Sequence, residues 1–445
     1  MNLGAVNSIY FLGIGGIGMS ALARYFHLTG REVKGYDRVE SMVSKGLEEM
    51  GMEIFYMLNA DHVAGADLMV YTPAISKECV EYVAAERLGI PIMKRSEVLG
   101  VISESYRTLA VAGTHGKTTT SSMLTHVLAS AGVQPTAFLG GISRNLNANF
   151  TFGMSDWMVA EADEYDRSFL TLHPYYAIIT SLDPDHLDIY GTEEEMQQNF
   201  RAFANQSRKL LVEAGLKGFD WGKNTKVFGI ESGDFRAENL RFQKLETLFD
   251  FRWDGGKLDN LRLGMPGRHN VLNMTAALGL AIETGVQPDQ LPEAVDSFQG
   301  IYRRFEVHLH QQDLSFIDDY AHHPEEIAAA MSTARALFPE RQLLVVFQPH
   351  LFSRTRDLCE GFAAELSKAD RTLLMEIYPA REEPIPGITS ESILTRMTLK
   401  RATLVSRDSL ISAIQQELEG PTVLLTLGAG DIDKEVPKIA NALIQ

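Results

Sequence analysis

Short apolar runs recur along the whole chain, separated by longer segments in which apolar residues have the spacing of a helix. Runs of this length, flanked by turn residues, are typical of buried parallel strands. The pattern predicts strands at Ser8–Gly13, Glu32–Gly35, Leu68–Tyr71, Leu109–Ala112, Trp157–Glu161, Ala177–Thr180, Leu343–Phe347, Leu373–Ile377 and Val423–Leu427. This alternation of strands and helices predicts an α/β fold.

The chain has 445 residues, which is too long for one hydrophobic core, because domains rarely grow beyond roughly 250 residues. One series of strands and helices ends and another begins near 105 and 304, so we predict domains of residues 1–105, 106–303 and 304–445. Polar and apolar residues alternate over residues 235–263, and Asp254-Gly255-Gly256 is typical of a turn. The middle domain is therefore predicted to carry a β-rich elaboration.

Net charge, cysteine content and the lack of long apolar runs exclude several classes of protein. A formal net charge of -17 argues against a nucleic-acid partner, since that binding depends on lysine and arginine neutralising phosphates. Cys79 and Cys359 are far apart, so neither a disulfide framework nor a zinc site is indicated. No signal peptide or long apolar run is present. These features predict a cytoplasmic protein without membrane insertion.

A glycine-rich turn follows the first predicted strand. Gly13, Gly15 and Gly18 form the pattern G-x-G-x-x-G, and Asp37 follows the second strand. Glycines let a backbone approach a pyrophosphate, and the helix that follows stabilises its charge. The turn suits NAD, FAD or a nucleotide-sugar diphosphate equally well.

A second loop has the features of a phosphate-binding loop. Gly116-Lys117-Thr118 lies between an apolar strand and a helix-forming segment, with Gly113 before it. Val111 stands where a Walker A sequence has its first glycine, so this loop is shorter than usual. Backbone amides would hold the phosphates, Lys117 would reach the β and γ phosphates, and Thr118 would bind Mg²⁺. The loop predicts ATP or GTP binding.

Carboxylates follow two predicted strands after this loop. Glu161 ends one strand, with Asp163 and Glu164 after it, and the next is followed by Asp185 and His186. Carboxyl ends of neighbouring parallel strands open onto one crevice, and Mg²⁺ prefers carboxylate oxygens. We therefore predict metal ligation by Glu161, with His186 contributing to a second site.

Polar residues also cluster at two predicted strand ends in the last third of the chain. Tyr320 and His322 follow one strand and Arg354 follows the next. Arginine binds a carboxylate with two hydrogen bonds, and Tyr and His supply directional hydrogen bonds. The pattern indicates a site for a small zwitterion.

Taken together, these motifs resemble the Mur ligase family over essentially the whole chain and in the same order. The matching segments are residues 13–20, 113–119, 161–164, 185–186, 267–273, 303–305, 319–324 and 347–356. The glycine turn, the histidine in the phosphate loop and the HHP and FQPH segments resemble the L-alanine-adding members. The resemblance implies a Rossmann-like domain for a UDP-sugar, a central ATP-binding domain and a C-terminal Rossmann-like domain for the amino acid.

The resemblance also implies roles for individual residues. The UDP-sugar would be bound by Gly13, Gly15, Gly16, Gly18, Asp37 and Thr72. ATP would be bound by Gly113, Thr114, His115, Gly116, Lys117, Thr118, Thr119, Asn270, Asn273, Arg304 and Asp319. Metal ligands would be Thr118, Glu161 and His186, and the amino acid would contact Tyr320, His322 and Arg354. Lys117, Glu161, His186 and His322 would be the catalytic residues.

The implied reaction joins L-alanine to the lactyl carboxylate of UDP-N-acetylmuramate in peptidoglycan precursor synthesis, with ATP and Mg²⁺ or Mn²⁺. A monomer or homodimer is expected. Three alternatives stay open: a ligase that adds a ready-made tripeptide to the same sugar nucleotide, an NAD-dependent dehydrogenase, and a non-catalytic nucleotide switch. Some alanine-adding members have arginine after QPH, whereas this chain has Leu351, so Arg354 is the expected carboxylate ligand.

Overall fold

The computed structural model describes residues 3–183, 187–216, 218–222, 224–243, 245–380, 382–399 and 401–444, with only the backbone of Leu187 and Asp188. The predicted site residues Asp185 and His186 lie outside these ranges. Two compact units are present: the first comprises residues 1–240, 249–262 and 271–299, and the second comprises residues 241–248, 263–270 and 300–445. No helix in the described ranges is both long and apolar enough to cross a membrane.

The first sheet belongs to the first unit and is entirely parallel, in the order β3-β2-β1-β4-β5. Strand order reverses beside β1, and ligands of open α/β sheets bind at such points. The elements are β1 (Ser8–Leu12), α1 (Ile17–Leu28), β2 (Glu32–Tyr36), α2 (Met42–Glu49), β3 (Glu53–Phe55), β4 (Leu68–Tyr71), α3 (Val80–Leu88), β5 (Ile92–Lys94) and α4 (Arg95–Ser103).

The second sheet has ten strands among the described residues, in the order β15-β14-β13-β12-β11-β10-β6-β9-β7-β8. Its strands are β6 (Arg107–Ala112), β7 (Thr136–Ser143), β8 (Ala148–Thr151), β9 (Trp157–Glu161), β10 (Pro174–Ile179), β11 (Lys209–Glu213), β12 (Thr225–Ile230), β13 (Phe235–Gln243), β14 (Glu246–Trp253) and β15 (Gly256–Leu263). The accompanying helices are α5 (Lys117–Ser130), α6 (Leu187–Tyr190), α7 (Glu193–Asn205), α8 (Arg268–Glu283) and α9 (Leu291–Asp296).

Strand β6 lies between β9 and β10 and is parallel to both. Its last four residues are fully buried, as expected of a central parallel strand. Val111 pairs with Glu161, and Ala112 pairs with Ile179. This register brings the segments after all three strands to one edge of the sheet.

The predicted β-rich segment is confirmed: it forms the edge of this sheet that ends with β15. Strands β13, β14 and β15 are sheet neighbours, and residues 254–255 connect the last two. Glycine and aspartate in that connection are common turn residues.

The third sheet belongs to the second unit, in the order β16-β17-β21-β18-β19-β20. Strand β16 is antiparallel to β17, and the other pairs are parallel. The elements are β16 (Glu306–His310), β17 (Leu314–Asp319), α10 (Pro324–Leu337), β18 (Gln342–Phe347), α11 (Phe352–Asp357), α12 (Cys359–Leu366), β19 (Arg371–Leu374), α13 (Ser390–Leu394), β20 (Ala402–Leu404), α14 (Leu410–Glu417), β21 (Thr422–Leu427) and α15 (Val436–Ile444).

The α/β prediction is confirmed, but one predicted strand is too long. Strand β19 ends at Leu374, whereas the apolar run predicted a strand to Ile377. Both neighbouring strands end level with Leu374, at Phe347 and Leu404, so residues 375–377 of the predicted strand have no register partner on either side.

Candidate active site

The phosphate loop connects β6 to α5 and depends on two glycines. Gly113 has φ of 133° and Gly116 has φ of 80°, which L side chains rarely adopt. A Cβ atom on Gly113 would overlap Thr180 Oγ1, and one on Gly116 would lie 2.7 Å from Asn273 Oδ1. Both conformation and space therefore require glycine at these positions.

Residues after β10 hold the loop in place. Ser181 Oγ accepts a hydrogen bond from the His115 amide at 2.8 Å and lies 2.9 Å from Thr114 Oγ1. Thr114 also donates its amide to Ser181 O at 3.2 Å and accepts the Asp183 amide at 3.0 Å. The loop is thus fixed through backbone and side-chain hydrogen bonds.

Helix α5 begins at the loop with Lys117, and its N-cap residue Gly116 provides no side-chain cap. Thr118 and Thr119 are buried in its first turn. The first amides of a helix lack intrahelical partners and carry the positive end of its dipole. The start of α5 is therefore suited to bind phosphate.

Lys117 is the first residue of α5, and its side chain contacts the loop. Its Nζ donates to Gly113 O at 2.7 Å, to Thr114 O at 3.2 Å and to Glu164 Oε1 at 2.8 Å. Burial alone would lower the pKa of Lys117, but the carboxylates of Glu164 and its neighbours outweigh that effect and hold the pKa above its usual range. Lys117 is therefore a positive charge at the phosphate loop.

Three carboxylates at the end of β9 and directly after it have different contacts. Glu161 Oε2 accepts the Gly140 amide at 2.9 Å. Asp163 lies 3.6 Å from the Arg95 guanidinium. Glu164 is almost fully buried beside Lys117, and burial raises its pKa to about 7 against the opposing effect of the lysine. The three carboxylates therefore have three different partners: a backbone amide, an arginine and a lysine.

The donor set fits the predicted metal ion in its chemistry. Thr118 offers a hydroxyl oxygen at the start of α5, and Glu161 offers carboxylate oxygens at the end of β9. Mg²⁺ prefers a few such hard oxygen ligands together with phosphate and water.

A cavity of about 900 Å³ lies in the first unit beside the glycine turn. Its lining includes Gly13, Gly16, Gly18 and Thr72, which follow strands of the first sheet, and Gly140, Glu161 and Asp163, which lie in or directly after strands of the second. The size is within the range of ligand sites. The cavity thus extends from the predicted pyrophosphate turn to the predicted metal ligand.

Asp37 and Arg95 both contact the glycine turn. Asp37 Oδ2 accepts the Gly15 amide at 2.8 Å, so this carboxylate stabilises the turn itself. A Cβ atom on Gly18 would lie 2.7 Å from Arg95 Nη1. Arg95 therefore places a cation against the turn and inside the cavity.

Asp319 ends β17 in the second unit. Its carboxylate accepts the Phe305 amide at 2.7 Å and the Ala321 amide at 2.8 Å. Burial raises the pKa of Asp319 to about 6, although Arg304 opposes the shift. The Arg304 guanidinium lies 5.3 Å from the Tyr320 ring centre, so these three predicted residues are close together.

His322 follows in the same segment. Its Nδ1 lies 3.0 Å from Tyr320 O and 3.2 Å from Glu326 Oε2, which assigns the ring proton to that nitrogen. Burial lowers the pKa of His322 to about 4, although Glu326 opposes the shift; Arg354, on α11, lowers it further. His322 is therefore neutral near pH 7 and presents Nε2 as a hydrogen-bond acceptor.

Leu351 occupies the position directly before α11 with φ of 70°, which is rare for a branched residue. Its amide donates to Tyr378 O at 2.9 Å.

The two predicted asparagines on α8 have separate contacts. Asn273 packs against Gly116 of the phosphate loop. Asn270 donates its side-chain amide to Pro266 O at 2.7 Å.

The structure thus brings the loop, Asn273, Glu161 and the glycine turn together in the first unit, and Arg304, Asp319, Tyr320 and His322 together in the second. The contacts of Ser181 with His115, of Arg95 with Gly18 and of Glu164 with Lys117 were not predicted from the sequence. Ser181 follows a strand adjacent to β6, so the strand-end rule could have identified it. The sequence offers no comparable signal for Arg95.

Profiles of protein families match three consecutive segments. Residues 8–107 match "Mur ligase family, catalytic domain", residues 111–281 match "Mur ligase middle domain", and residues 303–430 match "Mur ligase, glutamate ligase domain".

Individual relatives match along their full length. UDP-N-acetylmuramate–L-alanine ligase of Flavobacterium johnsoniae is 43% identical, covering 100% of this chain and 99% of the relative. The enzyme of the same name from Christiangramia forsetii is 42% identical with the same coverage. The crystal structure of UDP-N-acetylmuramate-alanine ligase from Thermotoga maritima has a TM-score of 0.84 at 30% identity, covering 99% of both chains. A murein peptide ligase from Psychrobacter arcticus shares the fold, with a TM-score of 0.71 at 23% identity and 98% coverage of both chains.

Proposed function

The chain belongs to the Mur ligase family, and from this we propose that it joins L-alanine to the lactyl carboxylate of UDP-N-acetylmuramate at the expense of ATP. ADP and phosphate are the other products. The reaction supplies a precursor of peptidoglycan and so serves cell-wall synthesis, cell shape and division. The protein acts in the cytoplasm as a monomer or homodimer.

One observation carries the proposal: the cavity that begins at the glycine turn ends at Glu161, and Glu161 pairs with Val111 on the strand that leads into the phosphate loop. A sugar nucleotide with its pyrophosphate at the turn would extend its acid group toward the same edge of the sheet. The γ phosphate of a nucleotide in the loop would lie at that edge too.

In the first step, a carboxylate oxygen of the sugar attacks the γ phosphorus, the bond to the β–γ bridging oxygen breaks, and ADP leaves. Lys117 stabilises charge on the phosphoryl oxygens, and loop amides orient the phosphates. Thr118 and Glu161 would hold Mg²⁺, together with His186. When bound, that ion neutralises negative charge on the phosphates.

In the second step, the amine of alanine attacks the acyl phosphate carbon, and phosphate leaves from the tetrahedral intermediate. His322 accepts a proton from the amine at Nε2, since its Nδ1 proton faces the Tyr320 carbonyl. Arg354 binds the alanine carboxylate. The substrates are ATP, UDP-N-acetylmuramate and L-alanine, with Mg²⁺ or Mn²⁺ as cofactor.

The test is phosphate release from ATP with Mg²⁺ and UDP-N-acetylmuramate, comparing L-alanine, an L-Ala-D-Glu-diamino acid tripeptide and no amine. Turnover with L-alanine alone is expected. Turnover with the tripeptide alone would assign the chain to tripeptide addition. Amine-independent ATP turnover would favour a nucleotide switch, and NAD binding in equilibrium dialysis would favour a dehydrogenase.

A further inference from the structure

Lys117 uses all its hydrogen-bond donors in this structure. An ammonium group has three N–H donors, and Nζ lies within hydrogen-bond distance of Gly113 O, Thr114 O and Glu164 Oε1. Lys117 can therefore bind a phosphate oxygen only in exchange for one of these partners.

Glu164 is the most costly partner to release. Its side chain is 2% exposed, so losing the ammonium would take a positively charged partner from a buried carboxylate. Release of a loop carbonyl gives up only a neutral acceptor. Thr114 O, at 3.2 Å, is the most distant of the three partners.

The backbone around Glu164 is also fixed. Its carbonyl accepts the Tyr190 hydroxyl at 2.6 Å and the Arg167 amide at 3.0 Å. Asp166 and Arg167 then adopt left-handed conformations, with φ of 53° and 57°. Because two hydrogen bonds fix the Glu164 carbonyl, the backbone holds the Glu164 carboxylate in place beside Lys117.

We propose that Glu164 is a positioning residue that stays paired with Lys117 when ATP binds, so that Lys117 exchanges a loop carbonyl for a phosphate oxygen. The inference rests on the proposed function and adds to it the residue that aligns Lys117, which is Glu164. Glu164 acts on the chemical step through Lys117 and contacts no substrate itself.

Two substitutions separate charge from contact. Glu164→Gln keeps an acceptor for Lys117 but removes the charge, and Glu164→Ala removes both. We expect kcat to fall about tenfold in the first and about 100-fold in the second, because a misplaced catalytic group costs mainly the chemical step. KM and the directly measured Kd for ATP should stay within about threefold of the wild-type values.

Glu283→Gln is the control, because it also removes the charge of a glutamate paired with lysine. Glu283 is another carboxylate of the first unit, with a side chain 9% exposed and paired with Lys209 and Lys226, and its substitution should leave kcat unchanged. A coupling test completes the experiment. In a Lys117→Ala background, single-turnover rates should fall no more than about twofold further when Glu164→Gln is added.

If the losses in single-turnover rate of the two single variants multiply in the double variant, Glu164 acts independently of Lys117, and the inference is overturned. Wild-type kcat in Glu164→Ala, or a Kd for ATP weakened more than about tenfold in that variant, would also overturn it. The Kd for ATP can be measured whether or not the chain ligates an amine. A wild-type chain that binds ATP but ligates no amine would therefore contradict the proposed function, and the Kd of Glu164→Ala would still test the inference about Glu164.

Discussion

Val111 pairs directly with Glu161 across the parallel strands β6 and β9, two residues before Gly113 opens the phosphate loop. This strand register by itself places Glu161, the predicted metal ligand, beside the predicted nucleotide site. The strand-end geometry of an open sheet is therefore the basis of the active site.

The Gly113→Ala variant should lose ATP-dependent ligation by at least about 100-fold, because the new Cβ would overlap Thr180 Oγ1 at a φ that alanine rarely adopts. Initial rates of phosphate release would measure the loss. Gly218→Ala is the control, since a Cβ there meets nothing within 4 Å. Equal rates in both variants would show that the loop conformation is unimportant.

The Gly140→Ala variant should alter the metal requirement. Its Cβ would overlap the Glu161 carboxylate, which would have to move. We expect the Mg²⁺ concentration at half-maximal rate to rise about tenfold, the scale seen when the support of a metal ligand is lost. Gly46→Ala, whose Cβ would meet only Arg24 at 3.5 Å, should titrate like wild type. An unchanged Mg²⁺ curve for Gly140→Ala would contradict the role of Glu161.

Arg95→Ala should weaken the sugar nucleotide and spare ATP. The guanidinium lies against Gly18 inside the cavity, where it can pair with a pyrophosphate or carboxylate. Loss of a charge-assisted contact of about 1.5–3 kcal/mol predicts a KM for UDP-N-acetylmuramate about 10-fold to 140-fold higher, with KM for ATP unchanged. The exposed Arg87 provides the control substitution. A rise in KM for ATP alone would refute this placement.

The low pKa of His322 predicts an acid-sensitive second unit. The unfolded ring binds a proton below about pH 6.5, while the folded ring resists it until about pH 4. Unfolded chains therefore bind more protons in this window, and the free energy of unfolding falls as the pH drops. The drop in Tm from pH 7.5 to 5.0 should be smaller in His322→Asn by the equivalent of about 2 kcal/mol.

His173→Asn is the comparison for that experiment, because the His173 side chain is 57% exposed. It should lose as much Tm as wild type over the same pH interval. If His322→Asn behaves like His173→Asn, the His322 ring is not held neutral by the fold.

Local pattern predicted the elements that place the site, including β6, β9 and the two glycine loops. It could not predict which side chains meet across those loops. The contacts of Glu164 with Lys117 and of Arg95 with Gly18 join residues distant in sequence, so they depend on tertiary packing. The end of β19 at Leu374 has the same origin, since its length is set by neighbouring strands and not by its own apolar run.

In the proposed reaction, the sugar carboxylate is activated as an acyl phosphate beside Glu161. The most direct test uses UDP-N-acetylmuramate labelled with ¹⁸O in the lactyl carboxylate, ATP, Mg²⁺ and L-alanine, with mass spectrometry of the released phosphate. We expect one ¹⁸O atom to be transferred to phosphate for each UDP-N-acetylmuramoyl-L-alanine formed. Product formed with unlabelled phosphate would contradict it.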